Sequence, residues 1–419
     1  MKIFKLMAIA LVAMVGLNSC SEDCDHNFIE HDFTQELVGT WTYLKEGQAE
    51  ALVIKADGSF EVTGVMNGGN GNLYEEKGTI KVVNNKVTLA FNSDKETFKG
   101  RLELVAGKSL SLVMFDNNDV RLTYDYCEND LADEIVGMWV CNNYSTEIEN
   151  DMVIQTFKED GIVTKTGWSA ASNKFIVNET ITYKVVGDLV FHQRPSDMVA
   201  EGAATHFASK LTYMPNANQL GDMLTNTSIK VINGEAVELS ASMLRVKQSL
   251  DLADQNYDYI KTFVTNVKGE DKDINFMGYT FNFAKMDGSG LDKMMKSLLF
   301  AVEFSTADHL TYSYQMNGNK ETYDADIEVE GNTMTIKMSE KVATLKDVVL
   351  YAFQDAHCSQ LHFYMQRDAF VNFFTNMQAM LLEATDEQFD INNAEAVNAI
   401  YNEINNAVET INVSLVMSK

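Results

Sequence analysis

The chain has 419 residues, with 33 Lys and Arg against 60 Asp and Glu, for a formal net charge of −27. So acidic a protein repels polyanions, which excludes nucleic acid as a class of partner. Apolar residues at 46% beside 22% charged describe a folded chain and not a disordered one.

In chain order, the first element is MKIFKLMAIALVAMVGLNSC, in which Lys2 and Lys5 precede an apolar run from Leu6 to Val15. The run is too short for a permanent membrane span, so residues 1–19 are expected to be a signal peptide. The ending Leu17-Asn18-Ser19-Cys20 resembles a lipobox, the site at which bacterial signal peptidases cut ahead of a diacylated cysteine. The resemblance implies a mature chain beginning at Cys20 and held by a lipid anchor. Loss of Lys2 and Lys5 would take the net charge from −27 to −29. Ser21, Glu22, Asp23 and Asp25 resemble the surface-export signal of Bacteroidetes lipoproteins, which implies an outer-membrane lipoprotein facing outward. The periplasmic leaflet is the other orientation, in which the acidic stretch 20–32 is only a tether. No second apolar run of spanning length exists, so the lipid is expected to be the sole anchor.

The next element opens a repeat. QELVGTWTY (35–43) and DEIVGMWVC (133–141) share Glu, Val, Gly and Trp at matching positions, 98 residues apart. Each continues as a strand, an Asp-Gly turn and another strand: LVIKADGSFEVTG (52–64) and MVIQTFKEDGIVTKTG (152–167). GTIKVVNNKVTLAF (78–91) answers ITYKVVGDLVFHQ (181–193). A period near one hundred residues marks duplicated domains. Proline occurs only at 195 and 215, while Asn-Gly and Asp-Gly pairs supply the positive φ of hairpin turns.

The third copy is looser. FMGYTFNF (276–283) places a glycine ahead of aromatics, and YDADIEVEGNTMTIKM (323–338) is a strand, turn and strand. Helices are predicted over 290–300, 367–384 and 394–409; in the second, Phe370, Phe373, Phe374, Met377, Met380 and Leu381 form one apolar stripe. IKVINGEAVELS (229–240) reads as an Asn-Gly hairpin and the following SMLRVKQSLDLADQ as a helix. The final INVSLVMSK is expected to be a strand closing the third copy. The domains are cut at 33–128, 131–265 and 274–419, with 266–273 as linker.

A strand ending in Gly-x-Trp, followed by antiparallel strands with Asp-Gly turns, is similar to the start of lipocalin-like domains. The resemblance implies a mainly β fold of tandem small antiparallel barrels, with helices in the C-terminal third. It also implies that Trp41 and Trp139 plug one end of their barrels, with Tyr279 or Phe281 in that role in the third. Ninety-odd residues leave little room for a cup, so filled barrels are expected.

Little in the sequence is catalytic. Gly107-Lys108-Ser109 lacks the glycine of a phosphate loop, since Leu102 stands in its place, and no HExxH, CxxC or GxSxG occurs. In DAHCSQLH (355–362), His357 and His362 differ by an odd number along a strand, which puts them on opposite faces. Cys24, Asp25, His26, His31 and Asp32 lie on the tether. Besides Cys20, the cysteines Cys24, Cys127, Cys141 and Cys358 allow three pairings between which spacing does not choose. No metal, cofactor or reaction is therefore expected.

Trp168, in TKTGWSAASN, is the tryptophan the repeat leaves unexplained, and it is expected on a loop. An exposed ring there would stack on a sugar ring or a partner protein, whereas a ring folded back would cover the barrel mouth; a glycan or small apolar ligand is expected at the barrel mouths. The expected function is ligand binding without catalysis; the other class is a structural accessory subunit or adhesin that contacts outer-membrane proteins. Replacing Cys20 with alanine is expected to move the chain from the detergent-extracted membrane fraction to the aqueous one; retention at the membrane would dispose of the lipid anchor.

Overall fold

The computed structural model describes residues 33–419 apart from 46–47, 67–72, 85, 94–96, 106, 115–119, 142–152, 170–173, 196–204, 218–220, 233–234, 277, 287 and 317. The fold is mainly β, with three closed eight-stranded barrels. The first holds β1 (Gly39–Lys45), β2 (Gln48–Ile54), β3 (Ser59–Met66), β4 (Leu73–Val83), β5 (Lys86–Phe91), β6 (Thr97–Val105), β7 (Ser109–Met114) and β8 (Val120–Cys127). Each strand runs antiparallel to the next, and β8 returns to β1 through Trp41↔Tyr126. The second holds β9 (Gly137–Cys141), β10 (Val153–Phe157), β11 (Ile162–Ser169), β12 (Lys174–Val186), β13 (Leu189–Gln193), β14 (His206–Met214), β15 (Met223–Ile232) and β16 (Glu235–Val246), closed by Leu244↔Val140.

Both barrels begin alike. A 3₁₀ turn, Phe33–Leu37, leads into β1, and the indole N–H of Trp41 donates to the carbonyl of Leu37 at 2.8 Å. Trp139 donates to the carbonyl of Ile135 at 2.7 Å. Trp41 and Trp139 are 1% and 0% exposed, each within its barrel core. The glycine of each Gly-x-Trp is required by the backbone: Gly39 has φ +145° and Gly137 φ +138°, which L side chains rarely adopt. A Cβ on Gly39 would also lie 2.7 Å from the ring of Tyr126, which meets Trp41 edge-on at 5.0 Å. In the second barrel Arg245 takes the place of Tyr126, its guanidinium 4.8 Å from the Trp139 ring. The Asp-Gly turns match as well, since Asp57 accepts from the backbone N–H of Ser59 and Asp160 from that of Ile162.

Several strands are apolar on both faces because both faces are covered. On β2, Leu52 and Ile54 face the first core, while Ala49 and Ala51 pack with Leu189, Phe191 and Ala208 of the second barrel. Lys184 adds an ion pair to Glu75 at 2.5 Å across this seam. On β16, Met243 faces its own core, while Leu244 and Val246 pack against Tyr351, Phe353 and Tyr364 of the third barrel. That double burial corrects the helix expected over 242–255. Without alternation, SMLRV mimics helical spacing, yet the chain stays extended to Val246.

The third barrel consists of β17 (Gln255–Gly269), β20 (Ala301–Thr306), β21 (His309–Met316), β22 (Asn319–Glu330), β23 (Thr333–Lys337), β24 (Val348–Gln354), β25 (Gln360–Gln366) and β26 (Val408–Ser418). The third unit therefore starts ahead of residue 274, and residues 266–269 are strand and not linker. Lys268 is exposed while its backbone and that of Gly269 pair with β26. β26, which contains INVSLVMS, joins β25 to β17 and closes the ring.

Phe276 and Tyr279 lie on a separate ribbon, β18 (Asp273–Phe276) with β19 (Tyr279–Asn282), so neither Tyr279 nor Phe281 plugs the barrel. Tyr257 sits at that end instead, 1% exposed and edge-on to Phe304, its hydroxyl donating to the carbonyl of Cys358 at 3.2 Å. The opposite mouth is filled by the chain's own helices, α1 (Ser289–Ser297), α2 (Arg367–Thr385) and α3 (Ala394–Ala407). Tyr312 and Tyr323 donate to the sulfur and the carbonyl of Met380, at 3.1 and 3.3 Å, and Phe373 meets Phe300 edge-on. All six residues of the α2 stripe are buried.

Gly39→Ala is expected to destabilise the first barrel by on the order of 1–3 kcal/mol. Gly107→Ala, at φ +62° in open space, is expected to cost about 1 kcal/mol. Equal urea midpoints for the two variants would remove the crowding against Tyr126 from the account.

Candidate functional site

Strand alternation brings charge to the mouth of the second barrel, at the end away from Trp139. Inner-face positions continue the core rows Val163, Ile181, Val190 and Leu211 and place there Lys165 on β11, Glu179 on β12, His192 on β13 and Phe207 on β14. Arg194 directly follows β13. A β-bulge between Lys165 and Thr166 shifts the register at this point, a device that re-aims side chains at barrel rims. Lys165 Nζ lies 3.2 Å from one oxygen of Glu179, and Arg194 Nε donates to the other at 2.6 Å.

Both cations also bracket an aromatic ring. The Arg194 guanidinium and the Lys165 ammonium lie 4.8 and 5.6 Å from the Phe207 centroid, and His192 stacks on the same ring at 4.6 Å. His192 is 3% exposed, and no described group partners its Nδ1. Burial, with Lys165 and Arg194 adding to it, depresses its pKa to about 3. The ring is neutral, and an unpartnered buried nitrogen costs about 1–3 kcal/mol. Among the described residues, Lys165 and Arg194 meet here on the one carboxylate of Glu179, on a protein of net charge −27. Ile176 and Val177, 43% and 57% exposed, stand on β12 beside it.

Trp168 corrects an expectation. Its backbone lies within β11, in register with Phe175, because Gly167 pairs with Ile176 and does not end the strand. The Trp168 side chain lies outside the described residues, as do Cys20, Cys24 and the whole of 20–32.

Sequence reasoning missed Glu50. It shares the inner face of β2 with Leu52 and is 2% exposed. Tyr74 donates to its carboxyl at 2.5 Å and Tyr124 donates to the other oxygen. Gly64, across the sheet from both Glu50 and Tyr74, lacks the side chain that would collide with the phenol. Burial holds this carboxyl above its ordinary value of 4.5, against the pull of the two phenols. The available signal was a lone charge inside QAEALVI.

Residues 355–359 turn between β24 and β25, and 360–362 open β25. Asp355, fully buried, accepts from Ser359 Oγ and from the backbone N–H of Gln360, both at 2.7 Å. His357 is exposed, whereas burial holds the His362 ring at a pKa of about 4. Among the described residues no group of three His, Cys, Asp or Glu side chains could hold a metal, and no helix is long and apolar enough to cross a membrane. Among the described residues, Cys127 and Cys358 are free thiols.

No family model and no curated protein matches the chain. Among solved structures, a porin-like protein from Bacteroides uniformis is similar at 9% identity and a TM-score of 0.13, over 49% of this chain and 93% of the other. The H. pylori beta clamp, solved in complex with diflunisal, is similar at 7% identity and a TM-score of 0.13, over 91% and 90%. Likenesses this low say nothing about what the chain does.

The buried groups dictate opposing pH effects. The folded chain keeps the Glu50 proton after the unfolded chain has released it above 4.5, so stability falls as pH rises from there through the raised folded value. His192 and His362 act the other way. Below 6.5 the unfolded chain takes up protons that the folded rings refuse until about 3 and about 4, so stability is lost as pH falls through that window. Glu50→Gln is expected to remove the decline that begins above pH 4.5 and leave the acid-side loss in urea titrations. A variant with the parent's full pH profile would show that the Glu50 carboxyl does not carry it.

Proposed function

We propose that this protein is a non-catalytic outer-membrane lipoprotein, anchored through Cys20 and displayed at the cell surface, that holds a small ligand at the mouth of its second barrel. The observation that carries the reading is the rim of Lys165, Arg194 and Phe207 over the buried His192. A guanidinium and an ammonium beside an aromatic ring suit a ligand with an anionic group and an apolar body. Ile176 and Val177 extend the apolar side of the rim. Glu179 holds both cations in place and competes with the ligand's own charge.

The accessory-subunit reading draws support from a different observation, the apolar seams that lock three barrels together and the helices that fill the third mouth. In that reading the barrels are a rigid spacer, and mild crosslinking would recover outer-membrane partners with the protein.

An anilinonaphthalene sulfonate probe, followed by its fluorescence and displaced with short aliphatic carboxylates, tests the barrel-mouth reading. Arg194→Met is expected to weaken binding roughly tenfold, and Glu179→Gln to strengthen it, because a competing carboxylate has gone. Binding that is indifferent to both substitutions would sink the assignment. Trp168→Ala asks separately whether that tryptophan contributes.

A further inference from the structure

A cleft of about 360 Å3 opens on the outer face of the third barrel, between β24, β25, β26 and the first turn of α2. The residues that form it alternate away from the barrel core. Leu350, Phe363 and Ile411 belong to the core rows, whereas Tyr351, Tyr364 and Asn412 stand on the outward rows. Four amides line the cleft, Asn266, Gln366, Asn372 and Asn412, together with the carboxylates of Asp347, Asp368 and Glu409.

The charges exclude one class of ligand. Arg367 is the single cation in the lining, and it is spent on the fold. Its Nε donates to the carbonyl of Val408, its Nη2 to Asn405, and its Nη1 to Asp368, all at 2.8–3.0 Å. Three carboxylates against one committed guanidinium repel an anion. The amides argue against the opposite class. An ammonium only donates, and it would leave the amide N–H groups of Asn266 and Gln366 with nothing in the ligand to accept them, while Asn372 already gives its amide to the carbonyl of Asp347 at 2.9 Å.

A hydroxyl both donates and accepts, so a polyol satisfies carboxylates and amides together. The first turn of α2 adds backbone donors, since Gln366 at its N-cap makes no side-chain capping bond. Val349 offers aliphatic surface to the C–H face of a sugar ring, whereas Tyr351 and Tyr364 are taken up by the seam with the second barrel. A volume near the lower end of ligand pockets, roughly 300–1,000 Å3, corresponds to a small ligand of one or two rings. We propose that this cleft binds a neutral saccharide, as a site separate from the barrel mouth and independent of what that mouth holds.

Saturation-transfer NMR on the full chain, with neutral methyl glycosides of glucose, galactose, mannose and N-acetylglucosamine at millimolar concentration, tests it directly. The corresponding disaccharides form a second arm, which separates recognition of a free sugar from recognition within a glycan chain. Asn266→Gly and Glu409→Gln are the variants, because both positions are exposed and Asn266 already has φ +51°, which glycine accepts without strain. Unchanged thermal unfolding verifies that each variant folds. At least one glycoside or disaccharide is expected to bind, with affinity falling roughly tenfold in each variant. Silence across the panel would overturn the proposal. So would binding that both variants leave untouched, or spermidine binding where every sugar fails.

Discussion

The architecture depends on strands that are buried on both faces. β2 and β13 each give one face to a barrel core and the other to a neighbouring barrel, and β16 and β24 do the same at the next junction. Two more contacts fix the second junction. Val246 bridges to Asp355, and the Gln354 amide exchanges hydrogen bonds with the backbone of Asp251 at 2.5 and 2.6 Å. Removing such seams from water is worth about 25 cal/mol per Å2 of apolar surface, and neither barrel wall at a junction could face solvent without losing it. Among the described residues, the three barrels are thus joined wall to wall by apolar contacts.

Within that body the three barrels solve one problem in different ways. Each has a closed end, and the aromatic there must satisfy its polar atom. Trp41 and Trp139 do so on the carbonyl four residues earlier, whereas Tyr257 uses the carbonyl of Cys358 and the amide of Gln354. The other ends differ more. The first holds a buried carboxylic acid between two phenols, the second a charged rim, and the third its own helices. The three barrels are thus alike where the first strand begins and differ at the opposite end.

Much of the candidate chemistry was invisible along the chain. Lys165, Glu179 and Phe207 come from three strands and Arg194 from just past the end of a fourth; they share no spacing, and only closure of the barrel gathers them. Glu50 escaped notice because a strand with both faces covered gives no sign of which way one residue points. DAHCSQLH looked chemical because its polar residues are dense, yet Asp355 spends its oxygens on holding a turn. Trp168 looked like a loop residue because glycine was read as punctuation, and a bulged strand carries glycine without ending.

What the sequence determined by itself was local. The Gly-x-Trp repeat, the Asp-Gly turns, the helical stripe at 370–381 and the β-rich class are written in short-range patterns, because positive φ and side-chain periodicity act over a few residues. Tertiary structure decided the rest: the start of the third barrel at 255, the extended path of 242–246, the plugging of one mouth by α2, and the outer cleft beside it. Each depends on which face of a strand meets another barrel, and that is settled by burial between residues a hundred or more positions apart.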